Sequence, residues 1–248
     1  MTVLVDGLDA VALAAHVGAP RMVVHHTVGS TMDEAHRLAQ SGPESGTVVV
    51  AEHQFAGRGR FGRRWISDPG RGLWATSIHR GIDTNALDVL SIRIGLCLAT
   101  ALDRFAEGRV TLKWPNDLFS QGRKLGGVLV EARWREAKLE WVAVGVGINL
   151  VPPADQPRGI GLRAGVLRSE LLRAVVGPVA EACASVGELT DEELRLYAVR
   201  DMLRDARLTE PAVGVARGIT ANGALVVETA SGRELFRRGS IVLAPEGA

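Results

Sequence analysis

Four short stretches of this chain gather residue types suited to holding anions. From Gly57 to Trp65 the sequence GRGRFGRRW sets three glycines among four arginines, Arg58, Arg60, Arg63 and Arg64. Glycine lets main-chain amides come close to an anion, and guanidinium forks match carboxylate and phosphate oxygens. No helical pattern follows these glycines, so the stretch is not the phosphate turn of a dinucleotide fold. In KWPNDL, residues 113 to 118, Pro115 stops a strand and is expected to turn Asn116 and Asp117 outward. There a carboxylate can hold Mg²⁺ through oxygen and an amide can read a purine edge. RKLGGVLVE, 123 to 131, places Lys124 at a strand start beside Gly126 and Gly127, and VGVGINL, 144 to 150, ends an apolar strand with Asn149. Taken singly, each has a plainer reading: a solvated loop, a Pro-Asn turn, an edge-strand lysine, a strand-ending turn. Of the 29 basic residues only Lys113, Lys124 and Lys138 are lysines, and the first two sit in Pro/Asn-rich or Gly-rich surroundings that favour a compact ammonium.

The elements that must position these stretches are legible from periodicity. Helices are expected over Leu8 to Val17, Thr31 to Gln40, Leu87 to Phe105, Leu167 to Ala184 and Asp191 to Ala206. Thr31 with Glu34, and Thr190 with Glu193, stand at capping-box spacing. Strands are expected at MVVHHTV, Thr47 to Glu52, Gly72 to His79 and Val110 to Trp114, and a hairpin over Lys124 to Trp134 and Leu139 to Leu150. From Glu210-Pro211 onward the chain reads as short strands with turns at Asn222-Gly223 and Ser231-Gly232. So small a β module cannot bury much core alone and is expected to pack on the larger unit. The whole is α+β: a mixed, mostly antiparallel sheet flanked by helices over residues 1–208, and a small β unit over 209–248.

Composition excludes several classes. With 29 basic and 28 acidic residues the net charge is +1, so the protein does not bind polyanions by bulk charge, and nucleotide contact must be local. Two cysteines, Cys97 and Cys183, each in an apolar stretch, offer no disulfide framework and fit a reducing, cytoplasmic setting. The N-terminal residues lack a basic start and meet Asp6 and Asp9 early, so neither a signal peptide nor a membrane role is expected. No Ser/His/Asp or Cys/His nucleophile signature stands out.

In the order GRGRFGR, KWPND, KLGG and GVGIN, with GSTMDEA at 29 to 35 and GVARGITANGALVVET near the C-terminus, the chain resembles the biotin–protein ligases. The resemblance runs from about Val23 to Pro245. It implies a class II synthetase-like biotin/lipoate ligase fold with an SH3-like C-terminal barrel. It also implies a two-step reaction: biotin and ATP give biotinoyl-AMP and pyrophosphate, and a lysine of a biotin carboxyl carrier domain takes the biotinoyl group. By motif position, Ser30, Thr31 and Gln54 would bind the biotin ureido group, with Gly57 and Arg58 closing over it. Trp114 and Gly127 would lie against biotin, Arg60 and Arg63 on the phosphate side, and Lys124 between biotin carboxylate and α-phosphate. Asp117 would hold Mg²⁺, while Trp65, Asn116 and Asn149 address the adenosine. Lys124 and Arg60 are the expected catalytic residues.

Two positions depart from the family's pattern: Met32 replaces a frequent Asn, and Ser240 stands where an acidic residue is usual. About twenty residues precede the ligase region, too few for the helix-turn-helix domain of repressor relatives, so neither DNA binding nor repressor activity is expected. Two rivals are a lipoate or octanoate transferase on the same fold, and a single-stranded nucleic-acid platform built on GRGRFGRRW with Phe55, Phe61 and Trp65.

Overall fold

The computed structural model describes residues 2–154 and 156–245. Seven strands form the main sheet: β1 (Met22–Val28), β2 (Thr47–Gln54), β3 (Gly72–His79), β4 (Val110–Lys113), β5 (Asp117–Ser120), β6 (Arg123–Arg135) and β7 (Lys138–Asn149). Their spatial order is β1-β2-β3-β7-β6-β5-β4. β1 and β2 are parallel, joined by the helix α2 (Thr31–Ala39), and every other neighbouring pair is antiparallel. The expected mixed, mostly antiparallel sheet is therefore present.

Alternation along the strands sorts side chains onto two faces. Val48, Val50, Leu73, Ala75, Val142, Val144 and Ile148 face the main core beneath α1 (Ala10–Val17), α3 (Leu87–Leu102) and α4 (Arg168–Ala184). Val49, Ile78 and Trp141 face the other way and pack under α2 through Ala35 and Ala39. In α3, Leu90, Ile94, Leu98 and Leu102 recur every fourth residue and are wholly buried. Burial of each is worth about 1.5–3 kcal/mol. The segment Thr84–Leu102 is long and apolar enough to span a membrane, and it lies mostly inside this core.

Local details amend the sequence reading: the helix expected over Asp191 to Ala206 ends at Arg200, and two further points differ. The cap of α2 is Ser30, not Thr31: Ser30 is extended and its hydroxyl accepts from the Met32 amide, while Thr31 is already helical. Its hydroxyl is engaged elsewhere, by Gln54. After the Pro115-Asn116 turn the chain forms β5, unforeseen because it is only four residues long and directly follows a turn signal. Thr190 and Glu193 do form the capping box of α5 (Asp191–Arg200).

The C-terminal unit is an antiparallel five-stranded sheet of β8 (Arg207–Glu210), β9 (Gly214–Ile219), β10 (Leu225–Thr229), β11 (Gly232–Phe236) and β12 (Val242–Leu243), in the order β11-β10-β9-β8-β12. Among the described residues no β11–β12 pairing closes it into a barrel. It docks on the larger unit as a module this small must: the Trp114 indole donates to Gly223 O at 2.9 Å, and the Leu189 amide to Ala221 O at 2.9 Å.

The link between α5 and β8 lies along the free edge of β4, where the Met202 amide donates to Leu112 O at 3.1 Å. Burial there pushes the Asp201 carboxyl up from 3.8 to about 6. One carboxylate oxygen accepts from the Leu203 amide, and the other is buried without a hydrogen-bond partner. Because the folded protein holds this proton more tightly than the unfolded chain, the side chain's unfavourable contribution is absent below pH 3.8 and complete above about pH 6. Asp201→Asn is therefore expected to stabilise the fold by an increment that grows over that window to roughly 1–3 kcal/mol, read by urea unfolding at pH 4 and pH 7. An increment equal at the two pH values would refute the assignment.

Candidate functional site

A cavity of about 290 Å³ opens on the α2 face of the main sheet, where α2 leaves the lower halves of β3, β7 and β6 uncovered. Its floor exists because the strands carry glycine there. Trp74, Gly147 and Gly127 are side by side in the register, with Gly145 two residues along β7 on the same face, and all four line the opening. A Cβ on Gly147 would lie 2.7 Å from the Trp65 indole, and one on Gly127 would lie 3.1 Å from the Asp117 carboxylate, so both side chains need these glycines.

The roof is the Gly/Arg stretch, which folds back on itself. Trp65 N donates to Gly57 O at 2.9 Å and Gly59 N to Arg63 O at 2.8 Å, with Arg60–Gly62 as a single tight turn. Phe61, exposed at the tip, has φ 56°. This flap covers one end of the cavity.

The two ends differ in chemistry. At the α2 end, Thr31 donates to Gln54 Oε1 through its amide at 2.8 Å and its hydroxyl at 3.0 Å. Thr76 donates to the Thr31 hydroxyl at 2.9 Å, and Gln54 Nε2 donates to Ser67 at 2.7 Å. With Ser30 this is a buried, uncharged hydrogen-bonding cluster. Apolar walls follow, from Met32, Trp74, Val128, Leu129 and Val146.

At the far end cations crowd around a single carboxylate. Lys124 Nζ is 2.7 Å from Asp117 Oδ1 and 5.3 Å from the Trp65 ring centroid. Arg60 donates to Asn116 Oδ1 at 3.2 Å. Burial lowers the pKa of Arg60, opposed by Asp117, and burial likewise lowers that of Lys113, reinforced by the neighbouring charges of Lys124, Arg158 and Arg63. Six cations line the cavity, and Asp117 is the one carboxylate among the described lining residues. With Arg58 paired to Asp33 and Glu131, five cations still face that one carboxylate, a balance matched to a multiply charged anion.

Lys124 is held from behind. Its amide donates to Arg158 O at 2.8 Å and its carbonyl accepts from Ile160 N at 2.9 Å, so the chain after β7 buttresses the start of β6.

Ser30, Thr31, Gln54, Arg58, Arg60, Arg63, Trp65, Trp114, Asn116, Asp117, Lys124 and Gly127, singled out in the sequence, all line this one cavity. Two do not. Gly57 lies on a second, more open concavity bounded by the flap, and its α-carbon faces Ser67 and Gln54. Asn149 is buried, and its amide donates to Ile160 O at 3.2 Å and Lys124 O at 3.4 Å, so it fastens the buttress instead of facing a ligand. Asn116, expected to point outward, turns back and donates to Val128 O at 2.6 Å. Trp114 spends its indole N–H on Gly223 O.

Lys113, noted in the sequence for its ammonium but given no site role, and the C-terminal segment Gly239-Ser240-Ile241 also line the cavity. Lys113 Nζ donates to Ile241 O at 3.2 Å and Arg63 to the Ser240 hydroxyl at 2.9 Å. Ser240 stood out in the sequence only as a departure from the family's pattern, and Gly239 and Ile241 carry no local signal.

Comparison with known proteins agrees with this geometry. Residues 24–149 match the biotin/lipoate A/B protein ligase family, and residues 205–243 match the biotin protein ligase C-terminal domain. The chain is 34% identical to the bifunctional ligase/repressor BirA of Bacillus subtilis (strain 168) over 58% of its own length and 45% of that protein's. It thus spans less than half of that relative. It is 29% identical to the biotin–[acetyl-CoA-carboxylase] ligase of Paracoccus denitrificans, over 84% of this chain and 94% of that protein. The fold superposes on the biotin protein ligase from Aquifex aeolicus solved with biotin and ATP with a TM-score of 0.72 at 24% identity, covering 90% of this chain and 98% of the other. With family and C-terminal domain both matched over the segments that build the cavity, the chain belongs to the biotin/lipoate A/B protein ligase family.

Proposed function

We propose that this protein activates biotin with ATP to biotinoyl-AMP and transfers the biotinoyl group to a lysine of a biotin carboxyl carrier domain. The carrying observation is the polarity of the cavity: an uncharged hydrogen-bonding end, an apolar middle and a cationic end, in one line. A ureido head, a hydrocarbon tail ending in a carboxylate, and a nucleotide phosphate chain have that same order. In this reading Ser30, Thr31 and Gln54 hold the ureido group, and Met32, Trp74 and Leu129 pack along the tail.

In the first step a biotin carboxylate oxygen attacks the α-phosphorus and pyrophosphate leaves. Two anions must approach, and charge builds on the leaving oxygens. Lys124 sits where carboxylate and α-phosphate meet, and it would exchange Asp117 for the ligands. Arg60, Arg63 and Lys113 face the phosphates, while Trp65 and Asn116 offer a ring face and an amide to the adenosine. In the second step the carrier's lysine amine attacks the acyl carbon and AMP leaves with the electron pair. A nucleotide-borne Mg²⁺ fits Asp117, which can lend one carboxylate oxygen to an ion otherwise held by phosphates. No group of three or more His, Cys, Asp or Glu among the described residues could hold a metal unaided. When bound, such an ion would neutralise phosphate charge. DNA plays no part in this reading.

Biotin-dependent exchange of labelled pyrophosphate into ATP tests it, with lipoate as competitor. Exchange driven by biotin and not by lipoate supports the proposal; the reverse assigns the lipoate branch. The flap is expected to contain a water-sensitive anhydride. Arg60, between Asn116 and the phosphate end, holds it there, so Arg60→Gly is expected to release biotinoyl-AMP and raise labelling of bystander lysines about tenfold or more. Labelling at the wild-type level would remove Arg60 from that role.

A further inference from the structure

Most hydrogen bonds of the flap are internal or reach single neutral acceptors: Arg60 to Asn116, Arg63 to Ser240, Arg64 to Phe55 O. Arg58 is different. Its guanidinium pairs with Asp33 on α2 through one nitrogen and with Glu131 on β6, at 2.7 Å, through another. The two carboxylates stand 25 and 73 residues away in the chain, on a helix and a strand outside the flap.

Glu131 is itself oriented. Its second oxygen is 3.0 Å from His36 Nε2, and the Trp141 indole donates to His36 Nδ1 at 3.0 Å. An indole N–H can only donate, so Nδ1 is the bare nitrogen and Nε2 carries the proton given to Glu131. His36 is thereby a neutral donor, backed by the buried Trp141 under α2. The His36 hydrogen bond and the nearby Arg58 charge together hold the Glu131 carboxyl below its ordinary 4.5. The carboxylate is thus charged, fixed and aimed at the root of the flap.

We infer that Asp33 and Glu131 are positioning residues: they seat Arg58 and so hold the flap over the cavity, with His36 and Trp141 setting the direction of Glu131. The seat is a property of the protein itself, and only its catalytic consequence, retention of biotinoyl-AMP, rests on the proposed function. Partly exposed ion pairs are individually weak, so both carboxylates must be removed to see the effect.

The test is limited trypsin digestion of the ligand-free protein, following by mass spectrometry the cuts after Arg60, Arg63 and Arg64 against those in the β6–β7 turn at Arg135 and Lys138. Asp33→Asn combined with Glu131→Gln is expected to speed the flap cuts about fivefold and leave the turn cuts unchanged. Asp33→Glu, which keeps a carboxylate, is expected to cut like wild type. A second readout is escape of biotinoyl-AMP, expected to rise in the double variant while the rate of pyrophosphate exchange changes less than twofold. Faster flap cuts in a protein that makes no biotinoyl-AMP would uphold the seat and overturn the proposed reaction. Equal flap cuts in wild type and double variant would overturn the seat, whatever the reaction.

Discussion

Lys124→Gln is expected to lower biotin-dependent ATP–pyrophosphate exchange by about 10²–10³, while the KM values for biotin and ATP shift by less than about tenfold. The ammonium rests on Asp117 at 2.7 Å and above the Trp65 ring, at the boundary between the apolar middle and the cationic end. A charge there is worth more once the two anions share it in the transition state than when either is bound alone, which is why kcat carries the loss. Lys124→Arg is expected to recover little of it. A planar fork carries its donors in a fixed plane and cannot act as a compact point charge. A loss under tenfold with unchanged thermal stability would move the catalytic charge elsewhere, with Lys113 the next candidate.

The second large effect concerns stability. Arg93, in the middle of α3, is only 2% exposed. It meets both oxygens of Glu193, at 2.5 and 3.1 Å, and donates to the carbonyls of Glu188 at 2.9 Å and Gly187 at 3.3 Å. Glu193 is also the reciprocal partner in the cap of α5, receiving the Thr190 amide at 2.8 Å. One guanidinium therefore satisfies the capping carboxylate of α5 and two loop carbonyls together. Arg93→Leu leaves both carbonyls without that donor and Glu193 with only the Thr190 amide, and is expected to cost about 3 kcal/mol, or about 6–12 °C in Tm. Adding Glu193→Leu is expected to return part of that loss, because the stranded carboxylate, more than the missing attraction, causes it. A drop of less than about 1 kcal/mol in urea unfolding would show that water reaches Glu193 freely.

Much of the fold was legible because its signals are local. β3 spans the expected run from Gly72 to His79, and the long hairpin of β6 and β7 follows from two Val-rich runs around a polar turn. The capping box at Thr190 and Glu193 reads directly, since both partners lie within one turn. The other expected box failed for a physical reason: Ser30 and Thr31 are both competent caps, and only Gln54, a strand away, decides that Thr31 is needed elsewhere. The site divides in the same way. Residues that contribute by type, such as Lys124, Asp117 and the flap arginines, are visible in their motifs and meet in one cavity. Residues that contribute by placement are not. Asn149 sits in a motif yet points to backbone behind Lys124, while Asp33 and Glu131 lie within quoted motifs with no role to mark them, Ile241 lies outside any, and all three acquire their roles only when distant strands and helices come together.

The wall supplied by Gly239, Ser240 and Ile241 makes the small C-terminal sheet more than an appendage. Since Arg63 and Lys113 anchor to it from opposite sides of the chamber, the two pieces share a lining that neither could keep after separation. Exchanging this tail for another would replace part of the chamber's wall along with it.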